Sequence, residues 1–131
     1  MLFRSWATAV VLALRPLVTA GLVPADAPFA VQGISGYSGG GRDLIERWQD
    51  PDHGLLALPY PAPYALERVH KHMPEIERYA GLAHAPQFVP SVGPFRCGMR
   101  VSIPLHTALC APGATPKAIW DALDGCYREE R

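Results

Sequence analysis

The chain of 131 residues lacks most features that declare a function outright. It has three cysteines, Cys97, Cys110 and Cys126. Their odd number and the absence of CxxC spacing exclude a disulfide framework and a cysteine zinc site, and they read as reduced thiols. Neither charge is in excess, with 12 Lys and Arg against 12 Asp and Glu, so neither nucleic acid nor an anionic membrane surface is an expected partner. The apolar run through Leu14 is too short to span a bilayer. Met1-Leu2-Phe3-Arg4 ahead of it imitates a signal peptide, but Arg15 and Pro16 interrupt the run and no small-residue cleavage site follows closely. No G-x-G-x-x-G follows a strand pattern and no Lys-Ser/Thr follows a glycine loop, which excludes a dinucleotide fingerprint and a Walker loop. There is no internal repeat and no low-complexity tract.

What is present is a chain that can fold. It is 49% hydrophobic, and its 14 prolines and 12 glycines are spread among apolar residues, which reads as many turns within one domain rather than as disorder. Ala7 to Ala20 predicts a buried helix closed by Gly21, with Pro16 kinking or restarting it. Phe29 to Ile34 predicts a strand, Asp43 to Gln49 a short helix, and Asp50 to Pro63 a long loop. Leu66 to His70 is expected as a strand, Pro74 to Tyr79 as a helix stopped by Gly81, and Gln87 to Val92 and Met99 to Leu105 as strands. Thr115-Pro116 opens an amphipathic helix carrying Ile119, Trp120, Leu123 and Tyr127. Helices mixed with largely antiparallel strands in one mixed sheet imply an α+β fold.

Two clusters carry chemistry. Ser35-Gly36-Tyr37-Ser38-Gly39-Gly40-Gly41-Arg42 places bare backbone amides and a forked cation just before a helix, a plausible seat for an anion; a plain surface loop is the alternative. Arg42 is the candidate for a carboxylate or phosphate, which guanidinium binds bidentately, and Ser35, Gly36 and Ser38 could add hydrogen bonds. Tyr64-Ala65-Leu66-Glu67-Arg68-Val69-His70-Lys71-His72-Met73-Pro74-Glu75 gathers two histidines, a lysine and two glutamates. A histidine titrates near neutral pH and suits proton transfer. Reading His70, His72 and Glu75 as metal ligands fails because Pro74 breaks the geometry and no fourth ligand is evident.

The two clusters, with Trp6-Ala7-Thr8-Ala9-Val10 ahead of them and Phe88-Val89-Pro90-Ser91-Val92-Gly93-Pro94-Phe95 behind, resemble in order the shorter (type 2) N-acetyl-gamma-glutamyl-phosphate reductase family of arginine biosynthesis. The resemblance implies a catalytic domain like that of the glyceraldehyde-3-phosphate dehydrogenase superfamily. It implies NADPH-dependent reduction of an acyl phosphate through a cysteine thioester, a soluble cytoplasmic enzyme and a homo-oligomer. Ser5 stands where the family has its nucleophilic cysteine, and a serine hydroxyl is a poor nucleophile without a dedicated base. His70, six residues after Tyr64, falls at the family's acid/base histidine. Tyr64 would orient His70 or line the pocket, and His72 and Glu75 would support it. Residues 1–5 lack the family's Pro-Gly before the cysteine, and Leu2-Phe3-Arg4-Ser5 is one translation of a sequencing-adapter oligonucleotide, so this stretch is expected to be a non-native leader. Residues 6–131 are expected to be an incomplete catalytic and oligomerisation domain, without the part that binds NADP and inactive alone. A related acyl-phosphate or semialdehyde dehydrogenase, a non-catalytic oligomerisation or anion-binding module, and a small secreted or membrane-associated protein are the alternatives.

Overall fold

The computed structural model describes residues 5–67 and 70–130; most of the expected leader and part of the expected strand at 66–70 lie outside them. The main elements run α1 (Trp6–Thr19), β1 (Ala30–Gly36), α2 (Arg42–Gln49), β2 (Ala62–Pro63), α3 (Met73–Ala80), β3 (Gln87–Gly93), β4 (Met99–Ser102) and α4 (Pro116–Tyr127).

Helix α1 begins at Ser5, whose extended backbone and Oγ make it the N-cap: Oγ accepts the Thr8 N–H at 3.2 Å. Trp6, Val10, Leu14 and Leu17 fall on one face at helical spacing and are buried. At the other end Gly21 is left-handed (φ 67°), Gly21 N–H donates to Val18 C=O, and Leu22 N–H donates to Leu17 C=O. These two bonds are the Schellman closure.

Pro16 neither breaks nor restarts α1. A proline here has no N–H for the Leu12 carbonyl four residues back. The Tyr127 hydroxyl, from the end of α4, donates to that carbonyl at 2.7 Å. The bond lost within one helix is thus replaced by one that ties the last helix to the first.

The sheet order is β2-β3-β1-β4. The mixed α+β architecture expected from sequence is present. Two of the three pairings are antiparallel, while the longest, β1 with β3 over seven residue pairs, is parallel. Two strand regions differ from expectation by more than two residues. Leu66 and Glu67 form a turn after Ala65, whose φ is +49°, and the strand of this region is Ala62–Pro63, inside the expected loop. Proline is tolerated there because β2 lies at the sheet edge. The rest of that loop is not structureless: Pro51–His53 and Leu55–Ala57 form single 3₁₀ turns. The last strand stops at Ser102 rather than Leu105; Pro104 has no N–H to extend its ladder.

Alternation along the strands gives the sheet two unlike faces. Val31 and Phe88 are buried in the core with the inward residues of α1 and α3 and with Val101 packed against them. The other face carries Gln32, Ile34, Val89, Ser91, Arg100 and Ser102, none of them buried. Helix α4 lies on α1. None of its residues is buried, and Trp120 remains 65% exposed.

Candidate functional site

The N-terminus of α1 and the segment before α3 meet on one aromatic cluster. Trp6, the first residue of α1, is buried with its ring over Gly33 of β1. A Cβ at Gly33 would lie 2.5 Å from the indole, so only glycine admits the ring at this depth. The indole Nε1–H donates to the Tyr64 hydroxyl at 3.0 Å. Its ring meets Phe88 edge-on at 5.6 Å, and Phe88 in turn meets His70 edge-on at 5.2 Å. Tyr64 lies 5.9 Å from His70 between ring centroids, and its own N–H is anchored on the Pro90 carbonyl of β3. Trp6, which follows Ser5, is therefore linked to His70 by two routes, one through a hydrogen bond to Tyr64 and the Tyr64 ring, the other through the Phe88 ring.

His70 is half-buried. Its Nδ1 accepts the His72 backbone N–H at 3.3 Å, so the neutral ring carries its proton on Nε2. Burial, then the neighbouring His72, then Lys71 push its pKa below the ordinary histidine value. The two imidazoles stand edge to face at 4.8 Å. His72 is lowered by burial and by Lys71, with Glu75 opposing from the first turn of α3. Its Nδ1 is buried with no hydrogen-bond partner among the described residues. A cavity of about 250 Å³ beside His70 is lined by Ala65, Met73, Ala85, Pro86 and Phe88. A neutral imidazole next to an apolar cavity can act as a base, taking up a proton and returning it. Among the described residues no three His, Cys, Asp or Glu side chains gather as metal ligands would.

The glycine loop lies elsewhere. His70 touches Phe88, which pairs with Val31, whereas the loop leaves β1 at Gly36, which pairs with Gly93. Those two rows are five residues apart, about 16 Å along the strands. Arg42, Ser35, Gly36 and Ser38 thus belong to the far end of the sheet from His70. Nor is the loop an open row of amides. Gly36, Tyr37 and Ser38 N–H groups donate to the carbonyls of Gly98, Phe95 and Arg96, and Gly41 N–H to that of Ser38. Gly36 is glycine because a Cβ would strike the Arg96–Cys97 backbone, and at Gly40 it would strike Leu44. The loop docks residues 95–98 against β1. Arg42 is exposed as the first residue of α2.

Two contributors escape a reading of residue types. Phe88 is named in sequence only as part of a motif, yet it is the ring on which His70 rests. Arg100 lines a hollow of about 120 Å³ on the open sheet face with Gln32, Ser91 and Ser102; only its pairing with Ile34 puts it there.

The profile described as "Semialdehyde dehydrogenase, dimerisation domain" matches residues 6–131, and the chain belongs to that family. Among individual proteins it is similar to N-acetyl-gamma-glutamyl-phosphate reductase of Burkholderia cenocepacia (strain HI2424), 42% identical over 118 residues, which cover 90% of this chain and 37% of that protein. N-acetyl-gamma-glutamyl-phosphate reductase 2 of Pseudomonas putida (strain KT2440) is 41% identical over 124 residues, 95% of this chain and 39% of the relative. The Mesorhizobium japonicum enzyme of the same name is 47% identical over 101 residues, 77% and 32% respectively. The match spans between about a third and two fifths of the length of these relatives, and the resemblance drawn from its motifs is the one they display. Among the described residues no helix is long and apolar enough to cross a membrane.

Proposed function

We propose that this chain is the catalytic and dimerisation portion of an N-acetyl-gamma-glutamyl-phosphate reductase. The reaction is NADPH-dependent reduction of N-acetyl-glutamyl 5-phosphate to the 5-semialdehyde and phosphate, carried out by a cytoplasmic homo-oligomer. The names of the relatives support the reaction. The observation that carries the assignment of residues is the convergence of the α1 N-terminus and His70 on one aromatic cluster. NADP would be held by parts of the longer protein outside these residues, since the glycine loop here is filled by the chain's own backbone.

Within the described residues, His70 is the proposed acid/base group, taking up its proton at Nδ1 as it releases the His72 N–H, and Tyr64 borders it. Position 5 stands where the first unpaired amides of a 14-residue helix favour negative charge. A thiolate there would be stabilised and nucleophilic at neutral pH. Ser5 instead spends its Oγ on capping Thr8 and on the Thr8 hydroxyl at 3.1 Å, which favours the second reading, a domain that keeps the fold without the nucleophile. Arg42 is proposed to bind a substrate anion, with Ser35, Gly36 and Ser38 beside it. Its place at the opposite end of the sheet from His70 requires that the anion be one presented from outside this domain.

Ser5→Cys tests the assignment. The new thiol should be alkylated by iodoacetamide at pH 7 about tenfold faster than a cysteine of ordinary pKa. Peptide mapping separates it from exposed Cys97 and Cys126 and half-buried Cys110. A rate no higher than that of Cys97 would remove position 5 from the catalytic reading.

A further inference from the structure

The role of Trp6 follows from what an indole can and cannot do. Its N–H donates and never accepts. The 3.0 Å bond to Tyr64 therefore occupies a lone pair of the phenol oxygen and leaves the phenol's own proton for another acceptor. We propose that Trp6 is a positioning residue, fixing Tyr64 as a hydrogen-bond donor beside His70. The fit is built from both sides. Gly33 gives the indole its depth, since a Cβ would be 2.5 Å away. Phe88 touches both Trp6 and His70 edge-on and sets the ring plane. Tyr64 is 37% exposed although its hydroxyl is tied down, which is the state of a side chain held in place for something that comes to it.

The partner this arrangement fits is an oxygen acceptor with negative charge, present or developing. It resists a group that can only donate, because both would offer a proton. This step rests on the reductase reading for the identity of that oxygen, which would belong to the acyl phosphate or to the oxyanion formed from it. The arrangement itself does not depend on turnover.

The test uses the whole chain labelled with ¹⁵N at tryptophan and ¹³C at histidine, as parent, Trp6→Phe, Tyr64→Phe and the double variant. In Tyr64→Phe the Trp6 indole N–H should exchange with solvent about tenfold faster, as expected for the loss of one hydrogen bond, with the Trp48 and Trp120 signals as internal references. Trp6→Phe should move the His70 titration midpoint up toward the ordinary histidine value, because a released Tyr64 admits water to the ring. The same change in the Tyr64→Phe background should add nothing. An indole whose exchange is unaffected by Tyr64→Phe overturns the proposal. So does a Trp6→Phe shift of equal size with and without the Tyr64 hydroxyl, which would mean that Trp6 acts by packing alone. Should Trp6→Phe fail to give a dispersed spectrum, the indole exchange in Tyr64→Phe decides by itself. Failure of the reductase reading would appear separately, as the absence of activity in the longer protein, with these signals unchanged.

Discussion

At the residue scale the site depends on one glycine as much as on any ionisable group. Gly33 sits in the interior of β1, where glycine otherwise weakens a strand, and the Trp6 ring fills the space of its missing side chain. Gly33→Ala must move either the indole or the strand. The expected cost is about 2–3 kcal/mol of stability, the usual penalty for overpacking a tight core. The Trp6–Tyr64 bond should be lost with it, so urea unfolding and the indole exchange signal should change together. This contact is not legible in the sequence. Phe29 to Ile34 reads as a strand and Trp6 as the start of a helix, but nothing in either says that position 27 residues on must be bare. His70 could be singled out as a candidate because two histidines cluster in the sequence and because its offset from Tyr64 matches the motif of the resembled family. The same reasoning reads Ser35, Gly36, Ser38 and Arg42 as one anion seat, but the Gly36 and Ser38 amides are taken by the carbonyls of Gly98 and Arg96, non-local partners that composition does not announce.

At the scale of elements the caps were readable and the exceptions were not. Thr115 and Gly21 do what their residue types suggest, while Ser5, read only as the nucleophile position, also caps a helix. Thr115 Oγ1 accepts the Ala118 N–H at 3.1 Å, and Gly21→Ala should cost about 1 kcal/mol through its left-handed φ of 67° alone, since nothing crowds that position. Pro16 is where local reasoning fails, because the group that compensates it lies 111 residues away, at Tyr127. A double-mutant cycle measures that compensation. Tyr127→Phe should destabilise the parent by about 1 kcal/mol, the loss of one hydrogen bond to a carbonyl left without its helical donor. In Pro16→Ala the Leu12 carbonyl regains an N–H four residues on, and Tyr127→Phe should then cost a few tenths. Equal costs in both backgrounds would show that Tyr127 contributes by packing. The strand at Ala62–Pro63 was missed for a related reason: two residues carry no period, and β2 exists only because β3 offers an edge.

For the whole molecule, the His70–His72 pair links the site to stability. Both imidazoles have pKa values lowered by folding, first by burial and then by adjacent positive charge. The unfolded chain, with histidines near the ordinary value of 6.5, therefore takes up protons at a higher pH than the folded chain does. As pH drops through 6.5 and toward the lowered values, the unfolded state binds more protons and is favoured. The contribution of the pair is present in full above pH 6.5 and is lost below it. Protonation would set two cations 4.8 Å apart beside Lys71 and deprive the His72 N–H of its acceptor on His70 Nδ1; the Glu75 carboxylate offsets only the charge on His72. The melting temperature should thus fall between pH 7.5 and 5, above the range where ordinary carboxylates titrate. Because both rings are only partly buried, solvent screens the effect, and the slope should be shallow. Replacing both histidines with glutamine should flatten it further. A parent whose melting temperature is level across this interval, or one whose slope survives the double replacement, would show that the pair does not couple proton uptake to folding.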